Sequence, residues 1–121
     1  MSEAVNISFA PARVNLTNVV QGDTLSFNVT LTDDAGDPVD VSGDTFEMDV
    51  KRLDGSTVLS ISSGFGITVT GNGVVHLEIP AASTALLDPD YTYKYDIQWT
   101  SGTIVRTIVA GQIAAEKQVT T

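Results

Sequence analysis

In this chain of 121 residues, fifteen acidic residues face six Lys and Arg and a single His, so any chemistry must be built mainly from carboxylates. Asp33, Asp34, Asp37, Asp40 and Asp44 crowd one stretch. Hard oxygen donors at loop spacing are what a calcium ion takes. The stretch lacks the EF-hand spacing and its closing bidentate Glu, and Asp is equally at home in turns, so turn formation is the favoured reading and no metal is expected. Asp88, Asp90 and Asp96 are the candidates for an acid–base pair of the glycosidase kind. A general acid needs burial to hold its proton at neutral pH; nothing in the sequence points to that, and Asp88 and Asp90 read as turn caps. His76 is the one imidazole, and a catalytic His needs a nucleophile and an orienting carboxylate beside it. Alternation places it on a wet strand face near Glu78, and no Gly-x-Ser-x-Gly motif supplies the nucleophile, so a surface histidine is expected. Tyr91, Tyr95 and Trp99 could stack on a sugar ring, but they are in phase with Tyr93 and Ile97 and so belong to a core face, Trp99 at the strand end being the weakest member of the set. Lys51, Arg52 and Arg106 read as strand-edge charges that discourage stray pairing. No catalytic, cofactor-binding or metal-binding residue is expected, and the chain is not read as an enzyme.

The elements that hold these side chains are strands. Tyr91, Tyr93, Tyr95, Ile97 and Trp99 alternate with Thr92, Lys94, Asp96 and Gln98, the period of two that gives a strand one apolar and one polar face. Leu87 and Pro89 just upstream of Tyr93 have the spacing of a tyrosine corner, in which the ring enters the core and the hydroxyl bonds back to the preceding turn. Leu25, Phe27, Val29 and Leu31 alternate in the same way, as do Phe46, Met48 and Val50, and Val75, Leu77 and Ile79. Turn chemistry separates them: Gln21-Gly22-Asp23, the Asp-rich stretch ending in Pro38, Asp54-Gly55, Gly71-Asn72-Gly73 and Ser101-Gly102. From Pro80 to Leu87 the sequence predicts one or two helical turns crossing between layers, with Pro suited to a helix start. Gly111 is expected to break or bulge the return strand from Ile104, and a last strand to run from Gln112 to Val119. The pattern predicts one all-β domain over residues 1–121, an antiparallel sandwich of eight or nine strands.

Composition agrees. Hydrophobic residues make up 42%, enough for a core, and there is no Cys for a disulfide or thiolate site. The net charge of −9 repels phosphate and anionic lipid, which argues against nucleic-acid and membrane partners. The first residues lack a basic and an apolar stretch, so no secretory leader is expected. The sequons at Asn6, Asn15 and Asn28 then read as chance.

Two segments together are similar to something specific. They are Leu31-x-Asp33-x-x-Gly36-x-Pro38-Val39-Asp40-Val41-Ser42-Gly43, and Tyr93-x-Tyr95-Asp96-Ile97-Gln98 followed by Gly102-Thr103-Ile104-Val105-x-Thr107-Ile108-x-x-Gly111-x-Ile113 and Val119-Thr120. From about Thr24 onward the chain resembles the small immunoglobulin-like domain of tailed-phage virion proteins, in particular the N-terminal domain of phage baseplate upper proteins. It departs at Tyr91, where such domains often carry Gly. The resemblance implies an immunoglobulin-like sandwich and a non-enzymatic structural role in the tail or baseplate, or on the head as a decoration. It further implies docking onto other virion proteins, homo-oligomerisation and assembly in the host cytoplasm; it implies no cofactor. The alternative is a carbohydrate- or surface-binding module of fibronectin or bacterial immunoglobulin type. A chain that starts with its own Met and stops after its last strand is expected to be a stand-alone subunit. Residues 1–12 are expected to be an extra strand or contact arm. The strand Val5 to Phe9, with Arg13 to Val20, is expected to touch a neighbouring subunit by strand addition.

Overall fold

Among the described residues the fold consists of ten strands and one helical turn. A computed structural model describes residues 2–6, 12–33, 35–71 and 73–117. The strands are β1 (Ser2–Asn6), β2 (Ala12–Arg13), β3 (Leu16–Val20), β4 (Leu25–Thr32), β5 (Thr45–Lys51), β6 (Thr57–Ser63), β7 (Gly66–Gly71), β8 (Val74–Ile79), β9 (Thr92–Ser101) and β10 (Ile104–Glu116), with α1 (Ala81–Thr84) between β8 and β9. The fold is all-β, as the alternating pattern predicts. The register is not wholly antiparallel. β1 lies parallel to β4, β7 to β6, and β2 and β3 to β10.

The strands join in the order β1-β4-β8-β7-β6-β5-β9-β10-β2, with β3 also on β10. The layers of the expected sandwich are therefore not separate sheets. One sheet curls round, and its two halves are stitched by the two-residue β6–β7 ladder of Ser62 with Gly66 and Ser63 with Ile67. Gly66 permits that crossing. Its φ is +103°, and a Cβ there would sit 2.7 Å from the Glu78 carbonyl oxygen. Each half buries one face. Phe27, Val29, Leu31, Val75, Leu77 and Ile79 from one half and Met48, Val50, Tyr93, Tyr95, Ile97 and Ile113 from the other belong to a single core.

The tyrosine corner is present. Tyr93 is buried and its hydroxyl accepts the Asp88 backbone N–H at 2.8 Å. Leu87 is fully buried beside it in the core. The expected helical crossing is a single turn that Pro80 precedes as the cap. Its Thr84 is wholly buried, and its hydroxyl donates to the Asp23 carbonyl (2.7 Å) and accepts the Gly22 N–H (3.1 Å), which locks the crossing onto the turn before β4.

β10 corrects two expectations. It does not break at Gly111 but runs unbroken for thirteen residues. Its irregularity falls between Thr107 and Val109, where Ile108 is the extra residue opposite β9. Ile108 and Val109 are consecutive yet both buried, as a bulge allows when it shifts the side-chain phase by one. Gly111 has another task. A Cβ there would lie 1.9 Å from the Val14 carbonyl oxygen. That oxygen occupies the space and accepts the Tyr95 hydroxyl at 2.6 Å.

At the N-terminus, Ser2–Asn6 form the extra strand, paired along the chain's own β4. β2 and β3 likewise pair with the chain's own β10. Ile7, Ser8 and Phe9 of the expected N-terminal strand lie outside the described residues, as do Gln118 and Val119 of the expected last strand.

Candidate functional site

The Asp-rich loop is built as turns. Asp33 Oδ1 accepts the N–H groups of Ala35 (2.9 Å) and Asp37 (3.0 Å). Asp40 Oδ1 accepts both the N–H and the hydroxyl of Ser42, at 3.0 and 2.6 Å, and these bonds hold its carboxyl below the usual range. Asp44 Oδ2 accepts Trp99 Nε1–H at 2.9 Å. Asp34 is outside the described residues. Among the described residues, no three His, Cys, Asp or Glu side chains converge in a way that could hold a metal ion.

The glycosidase candidates are not brought together. Asp88 Oδ1 accepts the Asp90 N–H (2.9 Å), as a turn cap does, while Asp96 lies inside β9. His76 is half-buried and its Nδ1 sits 2.7 Å from Asn28 Oδ1, across the β4–β8 pair. The aromatic set divides. Tyr95 is buried, and Trp99 is half-buried against the core with its N–H tied to Asp44. Tyr91 is not in the core; it is 66% exposed, because β9 begins only at Thr92. With Arg52, Leu53, Asp54, Thr92 and Tyr93 it lines a shallow groove of about 390 Å³. No shared sugar platform forms from the three. Lys51 is not an edge charge either. Lys51 ends β5, which lies between β6 and β9, and Arg106 sits opposite Trp99 in the β9–β10 pair. Arg52 closes the β5–β6 turn, its backbone N–H donating to the Ser56 carbonyl.

What the strands do assemble is a charged outer face. Pairing sets its rows. Ser62, Glu47, Gln98 and Thr107 lie side by side across β6, β5, β9 and β10. The next row is Ser60, Asp49, Asp96, Ala110 and Arg13, which extends to β2. The third is Thr57, Lys51, Lys94 and Gln112. All are out of phase with the buried Met48, Val50, Tyr95 and Ile97 of the same strands, so they face away from the core. A groove of about 510 Å³ opens over Ala110 and Gly111, lined among others by Arg13, Asp49, Lys51, Lys94 and Asp96.

The electrostatics follow from the register. Asp49 and Asp96 are direct cross-strand partners, and so are Lys51 and Lys94. Partial burial, with the Asp49 carboxylate opposite, pushes Asp96 above the usual range; Lys51 offsets part of this. The Asp49 carboxylate also pushes Glu47 up, with burial adding to it. The Ser60 hydroxyl donates to Asp49 Oδ1. Sequence reasoning had Asp96 in hand and missed Asp49. The signal was present, since Asp49 stands between Met48 and Val50 as Asp96 stands between Tyr95 and Ile97. Only the β5–β9 register, which the sequence does not carry, makes them neighbours.

No protein-family model matches the chain, and no curated protein matches it. Among solved structures, the fold is similar to the N-terminal domain of phage TP901-1 ORF48. The likeness covers 97% of this chain and 100% of that one, at a TM-score of 0.54 and 12% identity.

Proposed function

We infer that this chain is a non-enzymatic structural subunit of a tailed-phage virion, assembled in the host cytoplasm. In this reading it docks through its faces onto other virion proteins in the tail or baseplate, or on the head as a decoration. The observation that carries the reading is the likeness to a phage protein domain over essentially the whole of both chains. The immunoglobulin-type assignment is supported by strand order. Cut at the β6–β7 stitch, the halves read β1-β4-β8-β7 and β6-β5-β9-β10. This is the A-B-E-D and C′-C-F-G order of variable-type immunoglobulin domains, and Tyr93 falls near the start of the F strand, where the tyrosine corner belongs.

The side chains that could do chemistry are engaged in structure. Asp33, Asp40 and Asp88 cap turns, His76 is bonded to Asn28, and the Tyr93 and Tyr95 hydroxyls brace backbone. Fold alone does not fix function, so the test is direct. Mass spectrometry of gradient-purified particles from cells carrying the encoding phage is expected to find this chain at a fixed ratio to the other structural proteins. Disrupting its gene is expected to yield particles defective in one substructure. Its absence from purified particles would overturn the reading.

A further inference from the structure

The outer face carries its charges in an order that is unfavourable for one copy of the chain. Asp49 stands directly opposite Asp96, and one step along the same face Lys51 stands directly opposite Lys94. Like charges directly opposite on neighbouring strands destabilise a sheet. The concentration of base is also uneven: Arg13, Lys51 and Lys94, three of the six Lys and Arg residues of the chain, line the one groove that also holds Asp49 and Asp96.

We propose that this face binds a second copy of the same chain, face to face, about a two-fold axis lying in the interface, parallel to the rows and midway between them. The acidic and basic rows are two residues apart, about 6.6 Å along the strands. Such an axis reverses strand direction and lays the acidic row of each copy on the basic row of the other. Asp49 then meets Lys51 and Asp96 meets Lys94, and symmetry repeats both pairs. A two-fold interface must be self-complementary, and adjacent rows of opposite sign meet that condition. Beside these rows Ser60, Ser62, Gln98 and Thr107 are uncharged and Ala110 is small; Glu47, one row beyond Asp49 on β5, and Arg13, at the β2 end of the acidic row, are the further charged side chains of the face. The net charge of −9 per copy opposes approach only at long range, where ions screen beyond about 8 Å at physiological strength. Four strands about 4.8 Å apart and seven residues long span about 19 by 23 Å. That is the small end of specific interfaces, so the pair forms reversibly with concentration.

The inference deepens the structural-subunit reading, on which it rests for its biological sense, by naming a partner for one face. Its test is separate. Sedimentation velocity is run on the wild type, on Lys51→Glu with Lys94→Glu, on Asp49→Lys with Asp96→Lys, and on a one-to-one mixture of the two variants, with circular dichroism to show that each is folded. The wild type is expected to dimerise with rising concentration, each variant to self-associate at least about tenfold more weakly, and the mixture to recover a dimer. A wild type that stays monomeric up to about 1 mM, the weak limit of specific pairing, would sink the proposal. So would variants that still pair as the wild type does, or a mixture that stays monomeric. A monomeric chain that is nonetheless present in purified particles would remove the pairing and leave the virion role standing.

Discussion

Two tyrosines two residues apart fix the backbone at two different corners. The Tyr93 hydroxyl accepts an N–H from the turn before its own strand, whereas the Tyr95 hydroxyl donates to the Val14 carbonyl, eighty-one positions away in sequence. The second bond exists because Gly111 has no side chain where that carbonyl sits. Gly111→Ala therefore has to expel the Val14 backbone, and an unfolding titration is expected to show a loss of more than about 2 kcal/mol. Tyr95→Phe keeps the ring and loses only the hydroxyl bond, so a loss of about 1–2 kcal/mol is expected. An alanine variant as stable as the wild type would show that the Val14 carbonyl is free to move. Asp96 gives a prediction of the opposite sign. Its folded pKa is raised, so its contribution to stability is fully present below the ordinary value of 3.8 and is lost as pH rises through the folded value. At neutral pH the ionised group opposes folding, beside Asp49 and Glu47 and only partly offset by Lys51. Asp96→Asn is thus expected to melt higher than the wild type at pH 7 in dilute protein, by under about 1 kcal/mol because water still reaches the group. The gain is expected to vanish near pH 3, and thermal melts across that range check it.

At the level of elements, what the sequence reveals depends on whether a strand keeps phase. β4, β5, β8 and β9 alternate without interruption, and their core sides are as the pattern predicts. β10 was misread because Ile108 and Val109 break the alternation, and the sequence offers Gly111 as the more obvious irregularity. A bulge costs one extra residue of any kind, while glycine advertises flexibility, even where its use is to admit another backbone. Tyr91 was misread because in-phase spacing was extended one step past the strand's start. The charged face stayed hidden because it depends on which strands are neighbours and in what register, information that lies in long-range pairing. The parallel placement of β1 on β4 was equally unreadable, and it has a measurable consequence. β1 stands at the end of the strand order and pairs with β4, so deleting residues 2–11 is expected to leave a folded domain with an unpaired β4 edge. Light scattering is expected to show faster aggregation on that account, with the circular dichroism spectrum still that of a β protein. Loss of all structure on deletion would mean that β1 is part of the folding unit and not a cover for its edge.

The whole molecule poses the question of whether a curled sheet with a two-residue stitch is one folding unit or two. The stitch alone is too short to couple the halves. The core is not: the buried faces of β4 and β8 and those of β5, β9 and β10 contribute to a single cluster, so separating the halves would bare the apolar surface of both at once. Hydrophobic burial at about 25 cal/mol per Å² makes that separation far more costly than opening a two-residue ladder. The helical turn adds a second tie through Thr84, which bonds to the Gly22–Asp23 turn at the entrance to β4 while its own segment leads into β9. Unfolding is therefore expected to be a single cooperative step. Trp99 is the only tryptophan and reports on the β5–β9–β10 half alone, whereas far-ultraviolet circular dichroism reports on all strands. The two signals are expected to share one midpoint in urea, and calorimetry to give an enthalpy of about 80 kcal/mol near 60 °C, equal to the van't Hoff value. If Trp99 fluorescence changed at a lower denaturant concentration than the circular dichroism, the halves would be separable modules. The surface that presents Asp49, Asp96, Lys51 and Lys94 would then be a mobile flap and not the rigid platform that docking requires.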